Sequence, residues 1–213
     1  QFEVYLQPKY RIKDHRLSGA EALVRWRHPV WGFQSPGEFI PLFEQNGFIT
    51  KLDQYVWERA ASVLREWDNR GYPPIPVSVN VSRADIYHKD LADMLLGIVR
   101  QPSRLHLEIT ESAYTENPEQ VIETVGYLRE LGFVIEMDDF GSGYSSLNML
   151  GKMPVDILKL DMKFIQDEAA GPDDGGILHF IMELARWMDL SVVAEGVETR
   201  EQFEQLREIG CDY

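Results

Sequence analysis

Glu136-Met137-Asp138-Asp139-Phe140-Gly141-Ser142-Gly143-Tyr144-Ser145-Ser146-Leu147 is the stretch on which the reading of this chain turns. The run just before it, Phe133-Val134-Ile135, is apolar and predicts a strand. Neighbours on a strand point to opposite faces. Yet Asp138 and Asp139 stand together where the strand stops, and two glycines follow in a loop built to bend. Adjacent carboxylates repel unless something positive lies between them. The pair therefore either caps a helix and faces water, or holds a metal ion.

Outward from this point, the same alternation recurs. Residues 105–109, 133–137, 157–160 and 191–194 predict strands, while 118–131, 177–188 and 199–209 predict helices, two of them stopped by Gly132 and Gly210. Earlier, residues 4–8, 17–26 and 77–81 read as strands and 90–99 as a helix. Residues 51–69 place Leu52, Tyr55, Val56, Ala60, Val63, Leu64 and Trp67 at amphipathic-helix spacing. Ser35-Pro36-Gly37-Glu38 is a helix start, with serine as N-cap, proline in the first position and glutamate in the third. Strand and helix in alternation make a parallel sheet with helical crossovers. About seven strands without a linker-like stretch fit one α/β domain over residues 1–213: a (β/α)8 barrel of about 250 residues whose last unit is missing. An open doubly wound sheet is the rival, although no glycine-rich dinucleotide turn follows the first strand.

Bulk composition narrows the function. The 213 residues are 44% hydrophobic and 26% charged, ordinary for a core-forming chain. A net charge of -14 argues against non-specific binding of a DNA or RNA polymer, which needs a basic face. An anionic substrate would need cations to overcome that field. Cys211 is the single cysteine, so no internal disulfide forms, and a reducing, cytoplasmic compartment is expected. No apolar run is long enough to span a bilayer, so direct membrane insertion is not expected. The chain opens inside a strand pattern and stops just after a helix, as expected of a piece excised from a larger multidomain protein.

Polar residues fall in register with the predicted strands. Glu21 lies in the second; Asn80 ends the third; Glu108 lies in Leu107-Glu108-Ile109-Thr110-Glu111. Asp138 and Asp139 end the next, Lys159 and Asp161 lie in the following one, and Glu195 follows Val192-Val193-Ala194. One acid at a strand end is usually a cap or solvated. Six successive strands each carrying an acid, an amide or a lysine near the carboxyl end are harder to explain so, because in a barrel those ends converge on one mouth. Like charges there would raise one another's pKa unless dications relieved them. Hard oxygen donors without cysteine or histidine favour Mg2+ or Mn2+ over Zn2+.

These residues resemble the EAL domain family, named for the signature seen here as Glu21-Ala22-Leu23. The resemblance extends to Ser78-Val79-Asn80-Val81-Ser82, Leu107-Glu108-Ile109-Thr110-Glu111, Asp138-Asp139-Phe140-Gly141-Ser142-Gly143-Tyr144-Ser145-Ser146-Leu147, Lys159-Leu160-Asp161 and Ala194-Glu195-Gly196-Val197-Glu198-Thr199. It implies a (β/α)8 TIM-like barrel with an antiparallel first strand, and a phosphodiesterase that opens cyclic di-GMP to linear pGpG with two metal ions. It assigns Glu21, Asn80, Glu108, Asp138 and Asp139 as metal ligands, with Asp138 bridging, and places Lys159 and Glu195 at the attacking water and the second metal. Gln7, Leu23 and Arg25 become substrate contacts. Glu111 anchors the loop after the tandem aspartates, with Asp161 and Glu198 as outer supports. Homodimerisation and an upstream sensor or diguanylate-cyclase-like domain are further implications. Family members continue past Gly210-Cys211-Asp212 into a final strand and helix bearing a glutamine near the metals, and that unit is missing from this chain.

A phosphodiester resists attack because its oxygens are negative, and two dications about 3.5–4 Å apart neutralise them and acidify a water. Lys159 then acts as base or as positioning cation; sequence leaves both open. Arg25 offers a planar fork to a phosphate. His15, His28, His88, His106 and His179 lack ligand spacing and read as structural or surface residues, and Trp31 is the tryptophan best placed to stack on a base. Two other functions remain: a receptor of the same fold that binds the dinucleotide uncut, and a Mg2+ barrel enzyme with a lysine base acting on a carboxylate substrate. The unbroken ligand set disfavours the first, and the tandem aspartates disfavour the second.

Overall fold

The computed structural model describes residues 1–114, 117–140, 151–161 and 176–213. One eight-stranded sheet organises them: β1 (Phe2–Tyr10), β2 (Leu17–His28), β3 (Gly32–Gln34), β4 (Val77–Asn80), β5 (Leu105–Thr110), β6 (Val134–Phe140), β7 (Ile157–Leu160) and β8 (Ser191–Ala194). The order is β1-β2-β4-β5-β6-β7-β8, with β3 folded back on the end of β2. β1 runs antiparallel to β2, and every later neighbour along the path is parallel. The antiparallel first strand is as the family resemblance implied.

Side chains on this sheet sort by parity. Val77, Val79, Leu105, Leu107, Ile109, Ile135, Met137, Leu158 and Leu160 are buried in one core with the helices. These are α2 (Ile49–Asn69), α4 (Leu91–Ile98), α5 (Pro118–Glu130) and α6 (Gly176–Trp187), alongside α1 (Pro36–Asn46), α3 (Arg83–Ile86) and α7 (Arg200–Glu208). The intervening positions, Ser78, Glu108, Glu136 and Lys159, are buried too, and they are polar. They point to the other face of the sheet.

That face closes on itself. Lys9 on β1 touches Glu136 on β6 at 2.6 Å, and Lys159 on β7 touches Glu21 on β2 at 3.3 Å. Each pair sits four places apart in the strand order. At about 4.8 Å per strand, a flat sheet would hold them roughly 19 Å apart. The sheet is therefore curled into a TIM-barrel-like half-barrel, and the doubly wound alternative is excluded. Residues 211–213 lie along the outer edge of β8: Tyr213 N donates to Val192 O and Ala194 N to Tyr213 O. Ile12 N, beyond the end of β1, donates to Asp212 O at 2.9 Å, tying the two edges of the curl together.

Local signals explain the elements that frame the mouth. Glu38 reaches back to Ser35 N at 3.2 Å, so α1 starts where Ser35-Pro36-Gly37-Glu38 placed it. Gly132 takes φ +93° after α5, a conformation that disfavours any side chain, and turns the chain into β6. On α2 the buried stripe Leu52, Val56, Trp57, Ala60 and Leu64 follows the helical period. β3 and α3 were not anticipated, because three and four residues are too few to show a period.

Candidate active site

The opening aspartates are reconciled by a slip of register. Met137 pairs with Leu158, but the next pair is Phe140 with Leu160. β6 thus spends three steps where β7 spends two, which is a β-bulge. Asp139 takes φ +57°, a left-handed conformation uncommon for a residue with a side chain. The bulge interrupts alternation at the two adjacent carboxylates: Asp138 lies 3.0 Å from Lys159, and Asp139 is within its electrostatic reach.

Lys159 is the hub. Its Nζ lies 2.8 Å from Glu195, 3.0 Å from Asp138, 3.2 Å from Glu108 and 3.3 Å from Glu21. Burial alone would lower its pKa, but the surrounding carboxylates, Glu108 first and then Asp138, Glu21 and Glu195, more than reverse this, so the side chain is an ammonium. Its acids are displaced in turn. Burial pushes Glu108 well up, opposed by Lys9 and Lys159 and reinforced by Glu21 and Glu136. Burial likewise raises Glu195, against the pull of Lys159. Asp139 is raised by burial and then by Asp138 and Asp161. Asn80 Nδ2 is 3.4 Å from the second oxygen of Glu108, and the backbone of Asn80 is pinned by the indole of Trp57, 2.9 Å away.

Among the described residues no three carboxylates or imidazoles are grouped closely enough to hold an ion by themselves. The ammonium of Lys159 stands at their centre. The donor chemistry still fits a divalent cation, since hard oxygens from Glu21, Glu108, Asp138 and Asn80 converge there with Asp139 in electrostatic reach, and Lys159, with Lys9 on Glu108 alone, leaves the carboxylates under-compensated.

Beneath this rim lies a second polar layer that was not anticipated. Lys9 Nζ donates to Ser78 Oγ at 2.8 Å, Glu108 Oε1 at 2.9 Å and Glu136 Oε2 at 2.6 Å. Glu136 Oε1 accepts from Ser78 Oγ at 2.8 Å and His106 Nδ1 at 2.6 Å. Burial would raise Glu136, but His106 and Lys9 more than reverse it and hold the carboxyl below its ordinary range. The signal was present in the sequence: each of Ser78, His106 and Glu136 stands two residues before a rim residue or expected ligand, and so shares its face.

Beside the rim a cavity of about 690 Å3 is lined by Leu23, Arg25, Asn80, Asp53, Ser82 and Arg83, among others. Small-molecule sites commonly have this size. Arg25 rests with Nη1 on Val24 O at 2.9 Å. Asp53 on the cavity wall forms a buried carboxyl pair with Asp85: Ser82 N donates to Asp53 and Ser82 Oγ to Asp85. Burial and then Asp85 push Asp53 up to about 9.

The remaining expected residues divide. Gln7 pairs with Glu21 across β1 and β2. Glu111 is buried at the start of a one-turn 3-10 helix (Glu111–Tyr114), and with Asp161 it lies within electrostatic reach of Asp139. Glu198 is exposed in the turn before α7, where its backbone N donates to Gln202, and among the described residues it makes no contact with the carboxylates. Trp31 stacks on His28 at 4.1 Å and does not line the cavity. The loop from Gly141 to Ser146 lies outside the described residues.

Comparison with known proteins places this arrangement. The EAL domain family model matches residues 1–213. Cyclic di-GMP phosphodiesterase NbdA of Pseudomonas aeruginosa is 41% identical over all of this chain and 28% of its own length. The bifunctional diguanylate cyclase/cyclic di-GMP phosphodiesterase MucR of the same organism is 38% identical over all of this chain and 32% of its own. The chain thus spans about a third or less of these relatives. The solved MucR phosphodiesterase in complex with c-di-GMP superposes with a TM-score of 0.93 at 36% identity, covering 100% of this chain and 87% of that one. An EAL domain protein from Listeria monocytogenes gives 0.87 at 30% identity, covering 100% and 84%. No described helix is long and apolar enough to cross a membrane. By the whole-length family match and by the barrel mouth that Glu21, Asn80, Glu108, Asp138, Lys159 and Glu195 build together, this chain belongs to the EAL domain family.

Proposed function

We propose that this domain is a metal-dependent phosphodiesterase that hydrolyses cyclic di-GMP to linear pGpG. The observation that carries the reading is the gathering of Glu21, Glu108, Asp138 and Glu195 within 3.3 Å of one ammonium, beside a cavity of about 690 Å3. Purely structural ion pairing would match one lysine with one or two acids. Relatives named as cyclic di-GMP phosphodiesterases supply the substrate class.

Glu21, Asn80, Glu108, Asp138 and Asp139 would hold two divalent ions, Mg2+ or Mn2+. When bound, such ions neutralise the non-bridging phosphate oxygens and acidify a water. The protein's part is placement. Leu23 and Arg25 on the cavity wall take up base and phosphate, with Gln7 beside Glu21. Lys159 carries the donors that orient the attacking water, and Glu195, 2.8 Å from that ammonium, would stand at the same water and the second metal. Glu111 anchors the segment that follows the tandem aspartates, with Asp161 and Glu198 as outer supports. In the cell we place the domain in the cytoplasm, within a longer chain that carries a sensor or cyclase-like domain, and acting as a homodimer.

The test is incubation of the domain with cyclic di-GMP and Mg2+ or Mn2+, with chromatography of the products. Formation of pGpG that stops on chelation is expected. Tight binding without product would instead assign a receptor, and neither binding nor product would sink the reading.

A further inference from the structure

The two lysines that meet Glu108 are held in different ways. Lys159 faces four carboxylates with three N–H groups, so it is over-subscribed and can give up one contact for another. Lys9 has three acceptors for three N–H groups: Ser78 Oγ, Glu108 Oε1 and Glu136 Oε2. Its partners are fixed in turn, because Ser78 and His106 both donate to the other oxygen of Glu136. Every hydrogen bond of Lys9 is matched, and Glu108 and Glu136 are buried. A buried polar network that is fully satisfied is rigid, whereas one with a missing member is costly.

The consequence falls on Glu108. Lys9 grips Oε1 from below at 2.9 Å, an oxygen that Lys159 meets at 3.2 Å, and Oε2 is turned toward Asn80 at the mouth. We propose that Lys9, locked by Glu136, Ser78 and His106, is a positioning residue for the site, setting the carboxylate of Glu108 so that one oxygen is presented to the mouth. This rests on the phosphodiesterase reading above. Lys9 touches neither substrate nor reacting atoms; it acts through Glu108. Outer hydrogen-bond partners of metal-binding carboxylates commonly contribute 10–100-fold to affinity or activity.

The variant that isolates orientation is the double substitution Lys9→Met with Glu136→Gln. It removes one positive and one negative charge, so the summed charge beneath Glu108 is unchanged and no buried ion is left alone. Mn2+ binding to the metal-free protein is measured by electron paramagnetic resonance, alongside kcat and KM for cyclic di-GMP and a thermal melt. The expected result is a folded protein with Mn2+ affinity and kcat each lowered about 10–100-fold and KM changed less than about threefold. A folded double variant that binds Mn2+ as the wild type does would overturn the proposal, since a purely structural layer would move the melt alone. Should the double variant not fold, Ser78→Ala decides. It removes one acceptor of Lys9 and one donor to Glu136, and unchanged Mn2+ affinity there overturns the proposal as well. Wild-type protein that binds Mn2+ without cleaving cyclic di-GMP defeats the functional reading but leaves the Mn2+ comparison to judge Lys9. Wild-type protein that binds no Mn2+ defeats both.

Discussion

Lys159 Nζ and Asp138 Oδ1 lie 3.0 Å apart on neighbouring strands at the place where their register slips. The bulge and the ion pair are one device. Without the extra residue on β6, alternation would send either Asp138 or Asp139 outward among the apolar side chains under the helices, where an ionised carboxylate is not tolerated. With it, both acids stay on the polar face, and the lysine supplies the charge that lets them remain there. The positive φ of Asp139 is the local cost, of order 1 kcal/mol.

Because Lys159 is shared by four carboxylates, of which Glu108 alone has a second ammonium in Lys9, Lys159→Met should act on stability and not only on turnover. In chelator, breaking so buried a set of pairs is expected to cost roughly 3–5 kcal/mol, which for a chain of this size lowers the melting temperature by about 2–4 °C per kcal/mol. Mn2+ should then raise the melting temperature of the variant more than that of the wild type, since dications replace the missing charge. A variant that melts in chelator as the wild type does would show that the carboxylates do not depend on this ammonium.

Glu21→Ala and Asp138→Ala test convergence directly. The two residues come from β2 and β6, and they share only the mouth. Each substitution should lower pGpG formation by at least about 10²-fold, a loss of roughly 2.7 kcal/mol of barrier lowering or more. Both metal-free variants should stay folded, because removing an acid relieves like-charge repulsion. Near-wild-type hydrolysis by either would end the two-metal assignment.

How far sequence alone reaches can be judged residue by residue. The strand-end acids were legible because period-2 alternation and chain position are written in the sequence, and a barrel turns position along strands into position in space. The antiparallel β1 came from family resemblance, since nothing in Phe2-Glu3-Val4-Tyr5-Leu6 reveals direction. His106 was read as structural or surface, but Lys9 and Glu136 were passed over for a physical reason: a charged residue one layer below the rim looks like a solvated one until the curl of the sheet brings together partners that are four places apart in the strand order. The Asp53–Asp85 pair was invisible for a different reason, as its members lie on separate helices and meet only through Ser82.

Asp139→Gly separates strain from function. Glycine adopts φ +57° without steric cost, and its arrival also removes an acid that burial, Asp138 and Asp161 hold above its ordinary pKa. The variant should melt no lower than the wild type, with a gain of up to about 1 kcal/mol, while its turnover falls at least about tenfold through loss of an oxygen donor. Lower stability together with full activity would reverse the assignment, making Asp139 a structural residue.

Asp53→Asn carries a pH signature whose sign can be worked out. Unfolded, Asp53 titrates near its ordinary value of 3.8; folded, burial and Asp85 raise it to about 9. Between those values the native state holds the proton more tightly, so its contribution to stability is complete below pH 3.8 and drains away as pH climbs toward 9. Asparagine has the shape of the protonated acid, can donate to Asp85 and accept from Ser82 N, and does not titrate. The variant should therefore be more stable than the wild type at pH 8, by roughly 1–3 kcal/mol once coupling to Asp85 is allowed for. The gap should narrow steadily toward pH 5. Thermal melts of both proteins across that range decide it: parallel curves, or a gap that widens in acid, would mean that Asp53 is ionised in the folded protein and that the cavity wall beside Arg25 carries a negative charge.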